Sequence, residues 1–109
     1  MVVIEGTLFH AEWCGHCKSF LPVWKKVKEN IQKLGNQING VKIKLTDYEE
    51  SELKKISGNI SRINNNEIKG YPTVKISIID GKKKREYEYE GGRDEQDVMK
   101  HLTDIVNNK

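Results

Sequence analysis

Cys14 and Cys17, two residues apart where an apolar run meets an amphipathic stretch, restrict what this chain can fold into more than any other feature. Ahead of them, Val2-Val3-Ile4 and Leu8-Phe9 flank Gly6 in a run that reads as a buried strand. Behind them, Phe20, Val23, Trp24, Val27, Ile31 and Leu34 recur at steps of three and four, with Lys25, Lys26, Lys28 and Glu29 on the other face. That spacing predicts an amphipathic helix ending at Gly35, with Pro22 expected to kink it. A thiol pair at the head of a helix that follows a buried strand points to an α/β fold.

The remainder continues the pattern. Val41, Ile43 and Leu45 alternate with Lys42, Lys44 and Thr46, the period of a strand with one wet face. A short helix is expected around Glu49 to Ile56, then a polar, Asn-rich stretch to Lys69. Residues 73–79 form the strongest strand pattern, and Asp80-Gly81 supplies a turn into Arg85–Tyr89, whose tyrosines share a face. Asp94, Glu95 and Asp97 suit the first turn of a last helix that turns Val98, Leu102 and Ile105 to the sheet. The order is strand, helix, strand, helix, hairpin, helix, in one domain over residues 1–109.

Charge excludes some partners. Nineteen basic residues are interspersed with 16 acidic ones, a formal net charge of +3, so there is no single-sign field for nucleic acid. Lys82-Lys83-Lys84-Arg85 follows the hairpin turn and is read as keeping its tip soluble. No run is long and apolar enough to suggest a membrane span, and the first residues lack the pattern of a signal peptide. The abundance of Lys, Ile and Asn is the bias of AT-rich genomes, as in some protists and large DNA viruses.

Two cysteines this close cannot staple distant segments, so their use is local. Structural zinc needs four ligands, for which only His10, His16 and His101 remain, and covalent haem needs a histidine where Lys18 stands. Neither metal nor cofactor is expected beyond a redox-active disulfide. At a helix start, the dipole and free N–H groups stabilise a thiolate at Cys14, and Cys17, one turn on, can resolve a mixed disulfide. An imidazolium at His16 would favour the thiolate further and make the pair a better oxidant.

The segment Phe9-His10-Ala11-Glu12-Trp13-Cys14-Gly15-His16-Cys17-Lys18 resembles the active-site segment of the thioredoxin superfamily, with Cys-Gly-His-Cys in the protein disulfide isomerase form. Lys69-Gly70-Tyr71-Pro72-Thr73 resembles the family's cis-proline segment, and Tyr89-Glu90-Gly91-Gly92-Arg93 the stretch before its last helix. The resemblance implies a thioredoxin-like fold with helices on both faces of a mixed four-stranded sheet. It also implies a thiol–disulfide oxidoreductase or isomerase acting on proteins, with Cys14 attacking and Cys17 resolving. By the same likeness, Cys14-Gly15-His16-Cys17 with Arg93 forms the catalytic set, Arg93 lowering the pKa of Cys17. Trp13 then belongs to an apolar rim, Pro72 is cis, and the backbone of Tyr71 pairs with a substrate strand.

The chain departs from the family in three respects. Leu8 stands where the family buries an acid that shuttles protons for the second cysteine; Glu5, turned inward by a bulge at Gly6, is the candidate substitute, with Lys44 where the family has that acid's lysine partner. The family's first strand and helix are missing, which leaves the Val41–Leu45 strand as an exposed edge, a route to a dimer of an otherwise monomeric domain. The Asn-rich insertion has no assigned role. Two alternatives stay open: a thioredoxin-like reductase, and a non-catalytic peptide-binding or chaperone module using the Tyr71-Pro72 groove. The compartment is open too, between an oxidising one such as the endoplasmic reticulum lumen and a viral or cytoplasmic setting.

Overall fold

Alternation of apolar residues builds the sheet, and what each strand faces decides where the helices sit. In a computed structural model of the chain, which describes residues 2–49 and 70–107, the elements are β1 (Val2–His10), α1 (Gly15–Lys33), β2 (Gln37–Ile38), β3 (Val41–Glu49), β4 (Thr73–Asp80), β5 (Lys83–Glu88) and α2 (Glu95–Asn107). The sheet order is β2-β3-β1-β4-β5, with β1 parallel to β3 and antiparallel to β4. This is a mixed thioredoxin-like sheet, with five strands rather than four.

The added strand comes from Asn39-Gly40, both at positive φ, which fold Gln37–Ile38 back onto Val41–Lys42. Such a pair is the preferred sequence for a tight hairpin turn, because a non-glycine residue other than Asn or Asp strains at positive φ. The β3 edge is therefore covered over its first residues. β3 itself runs on through Glu49, where a helix was expected to begin. The rest of that expected helix and the Asn-rich stretch lie outside the described residues.

Ile4, Gly6 and Leu8 point to one side of β1, and α1 and α2 both pack there. Ile4, Leu8, Trp24, Val27, Ile43, Ile76 and Leu102 belong to one buried cluster, and Asn30 of α1 donates to a Glu95 carboxylate oxygen of α2 at 2.7 Å. A helix on the opposite face, as the expectation of helices on both faces required, is not among the described residues. Gly6 is needed where it stands: a Cβ there would lie 2.8 Å from Leu45 Cδ2 and 3.2 Å from Trp24 Cη2. The register of β1 with β4 runs unbroken through Glu5, Gly6 and Thr7, so Gly6 marks close helix packing and not a bulge.

α1 spans Pro22 as one helix, with the proline on its exposed side. Several finer expectations change. Val98, Leu102 and Val106 are the buried stripe of α2, with Ile105 only partly buried. Lys83 and Lys84 sit in the β5 ladder opposite Asp80 and Ile79, which leaves Lys82 with Gly81 in the turn. His101, which the pattern of the last helix would place at the surface, is half-buried: its Nε2 lies 2.7 Å from the Tyr87 hydroxyl, and its ring centroid 4.7 Å from that of Tyr89. No described helix is long and apolar enough to cross a membrane.

Candidate active site

The site grows out of the end of β1. After His10 the chain turns through Ala11-Glu12-Trp13, and the Cys14 N–H closes that turn on the Ala11 carbonyl at 3.1 Å. Cys14 is then the N-cap of α1, with extended backbone (φ −90°, ψ 113°). Its Sγ accepts the Cys17 N–H at 3.2 Å, so a sulfur fills the place that a Ser or Asp oxygen takes at most helix starts. The sulfur that caps the helix is thereby held at its positive end.

Both thiols are reduced and buried, Cys14 at 6% and Cys17 at 3% exposure, in a small cluster with Ala11 against Tyr71. Burial pushes the Cys17 thiol up from the ordinary 9.0 to about 11, reinforced by its hydrogen bond with Cys14; a backbone hydrogen bond from Ala11 and the Arg93 charge oppose this. Across from the dicysteine turn, the Tyr71-Pro72 bond is cis. The Tyr71 carbonyl accepts from the Cys14 thiol at 3.4 Å. Cys14 and a backbone carbonyl of the proline loop thus stand side by side.

The rim is uneven. Trp13 is 69% exposed, its ring edge-on to Tyr71 with centroids 5.8 Å apart. His16 is exposed on the first turn of α1 and lines a depression with Ser19, Val23 and Arg93. Gly15 has open space around it, so neither crowding nor strain requires a glycine there. On the far side, Pro72, Glu88, Glu90 and Arg93 line a second shallow groove with Phe20. The structure thus brings Trp13, Cys14, Cys17, Tyr71 and Pro72 together, with His16 and Arg93 flanking them.

Leu8 is fully buried in the core, and neither Glu5, the candidate substitute acid, nor its lysine partner Lys44 reaches the site. Glu5 points away from α1, because the β1 register has no bulge, and Lys44 is exposed opposite Glu5. Sequence reasoning missed the residue that does stand beside Leu8. Asp47 pairs with Leu8 in the β1–β3 register and lies 3.9 Å from His10 Nε2. The signal was the alternation Val41, Ile43, Leu45, which, continued two residues past Leu45, puts Asp47 on the face of Leu8.

Comparison with known proteins agrees with this geometry. The thioredoxin family model matches residues 1–104. The protein disulfide-isomerase of Gallus gallus is 34% identical over 94 residues, 86% of this chain and 16% of that protein. Protein disulfide-isomerase A4 of Bos taurus is 34% identical over 97 residues, 89% of this chain and 13% of that protein. The chain thus spans about a sixth or less of the length of these relatives. Among solved structures, the first thioredoxin domain of mouse protein disulfide-isomerase A4 superposes with a TM-score of 0.61 at 22% identity, covering 94% of this chain and 62% of that one. The Trx4 domain of ERdj5 gives 0.64 at 20% identity, covering 97% and 81%. With a family model matched across nearly its whole length and protein disulfide isomerases as its relatives, the chain belongs to the thioredoxin family.

Proposed function

We propose that this domain catalyses thiol–disulfide exchange on protein substrates, as an oxidant or isomerase of the protein disulfide isomerase kind. The observation that carries the reading is the asymmetry of the two sulfurs. Both are buried, but Cys14 caps the helix, accepts the Cys17 N–H and abuts the Tyr71 carbonyl, whereas the Cys17 thiol is pushed up to about 11. One sulfur suits attack on a partner; the other stays a thiol until it is needed.

Cys14 Sγ attacks a substrate disulfide, forming a mixed disulfide and releasing the first substrate thiolate. Cys17 then attacks Cys14 Sγ, closing the Cys14–Cys17 bond and releasing the second substrate sulfur. In the oxidising direction the same steps run backwards, so one site serves either flow of electrons. His16, beside the site, favours the dithiol form and hence the oxidant. Trp13, Tyr71 and Pro72 receive the substrate backbone, Arg93 eases ionisation of Cys17, and an oxidising compartment such as the endoplasmic reticulum lumen suits this poise.

The test is trapping. Cys17→Ser incubated with an oxidised peptide accumulates a one-to-one mixed disulfide on Cys14, read by intact mass, and loses turnover in insulin reduction and scrambled-ribonuclease refolding. A Cys17→Ser protein that traps nothing, together with a parent chain that shows no turnover in either assay, overturns the reading in favour of a binding module. The exposed Trp13 edge-on to Tyr71 supports that second reading, which predicts peptide affinity indifferent to either cysteine.

A further inference from the structure

Cys17 cannot act until it loses its proton. Its thiol is 3% exposed and pushed up to about 11, and Leu8, fully buried in the core of β1, is an alkyl group with no lone pair to offer. A base must therefore reach Cys17 from elsewhere. A cleft of about 530 Å³ opens on Cys17, and its polar walls are His10, Glu12, Lys18 and Glu49.

We propose that His10, backed by Asp47, is the proton relay through which Cys17 resolves the mixed disulfide. The inference rests on the exchange chemistry above and adds a residue for its second step. A lysine side chain offers donors and no acceptor in its ammonium form, and Glu12 is exposed in the turn. Carboxylates as a class ionise near about 4 and imidazole near about 6.5, so imidazole is the better matched acceptor at neutral pH.

Placement agrees with chemistry. His10 is the last residue of β1, on the same face as Leu8, with a side chain only 13% exposed. Its Nε2 stands 3.9 Å from Asp47 Oδ1, a carboxylate that stabilises the imidazolium once a proton arrives. β3 turns both its last carboxylates, Asp47 beside Leu8 and Glu49 beside His10, toward this side. The cleft has room for water, and a proton crosses from thiol to imidazole by way of one water.

The step balances. The proton leaves Cys17 Sγ for the His10 ring, and the thiolate attacks Cys14 Sγ. A Cys14–Cys17 bond forms as the bond from Cys14 to the substrate sulfur breaks. Cys17 is oxidised, and the substrate sulfur is reduced, leaving as a thiolate that takes up a proton from solvent or from the imidazolium.

The experiment mixes the reduced full chain with glutathione disulfide, quenches in acid, and follows by mass the decay of the Cys14–glutathione adduct into the internal disulfide across pH. His10→Gln slows that decay about 100-fold at neutral pH. The gap narrows as pH rises and Cys17 ionises unaided. Asp47→Asn gives a smaller loss, and imidazole in the buffer restores part of the rate to His10→Ala while leaving the parent chain unchanged. Parental rates in His10→Gln at every pH, or a loss of the same factor at every pH without imidazole rescue, overturn the relay. So does a larger loss in Glu49→Gln, which moves the role to Glu49. If the parent chain forms no adduct at all, the exchange reading itself fails, and the relay with it.

Discussion

Replacing Gly6 by alanine puts one methyl group at the tightest point between sheet and helix. Its Cβ would lie 2.8 Å from Leu45 Cδ2, 3.2 Å from Trp24 Cη2 and 3.5 Å from Ile76 Cδ1. Carbon pairs prefer about 3.5–4.0 Å, so two of the three contacts are repulsive. Trp24 is fully buried and its Nε1–H donates to the Thr46 carbonyl at 3.1 Å, so the indole cannot retreat without breaking that bond. Leu45 can turn its methyl, but at 6% exposure it turns into other side chains. Overpacking of this kind costs about 1–3 kcal/mol, against a gain of about 0.5–1 kcal/mol from removing a glycine from a strand. The net loss is about 1–2 kcal/mol, a fall in melting temperature of about 5–10 °C for a domain this size. Thermal unfolding of the reduced protein by circular dichroism measures it. In a Leu45→Val background, which lacks the Cδ2 atom, the loss shrinks by about 0.5–1 kcal/mol. A Gly6→Ala protein that melts at or above the parent, or whose loss ignores Leu45→Val, refutes the close-packing account.

Other outcomes follow from single groups. Because the folded protein holds Cys17 near about 11 and the unfolded chain near 9.0, the reduced protein keeps its full stability below about pH 9 and loses about 2–3 kcal/mol as pH rises through 11; urea titrations of parent and Cys17→Ala diverge in that window and not below it. Burial lowers the pKa of His101 from the usual 6.5, so its neutral form belongs to the fold and stability falls as pH drops below 6.5; His101→Phe, compared by acid titration, lacks that part of the fall. Trp13→Ala changes stability by less than about 0.5 kcal/mol, since the ring is mostly exposed. The same variant reacts with a peptide disulfide about 3–10-fold more slowly, the worth of one aromatic contact, while its reaction with glutathione disulfide is unchanged.

Much of this could be read before any coordinates, because period and punctuation are local. Phe20, Trp24, Val27 and Ile31 made α1, the alternation in residues 73–79 made β4, and the dicysteine turn fell at the head of α1 as its flanking patterns required. What escaped was long-range or needed both partners. The β2 hairpin was signalled by Asn39-Gly40 but supported by only two strand residues, too few to show a period. Gly6 reads equally as a bulge or as a close approach, and only the unbroken ladder to β4 tells which. His101 looked solvated because its partners, Tyr87 and Tyr89, come from another element. Asp47 was passed over for the same reason: its meaning depends on a register with Leu8 and His10 that one strand alone does not state.

Both sulfurs belong to a single turn of α1, with Cys14 capping the N–H of Cys17. Linking them confines only a few residues of the denatured polypeptide, so cross-linking entropy contributes little beyond what any short dithiol peptide would show. The difference in melting temperature between the dithiol and disulfide forms therefore reports how strongly the native surroundings prefer one over the other. By the thermodynamic cycle, each 1.4 kcal/mol of that preference displaces the couple by about 30 mV from an unstructured reference. A calorimeter thus serves as a potentiometer here, and a dithiol that outlasts its disulfide on heating marks the domain as a donor of disulfides.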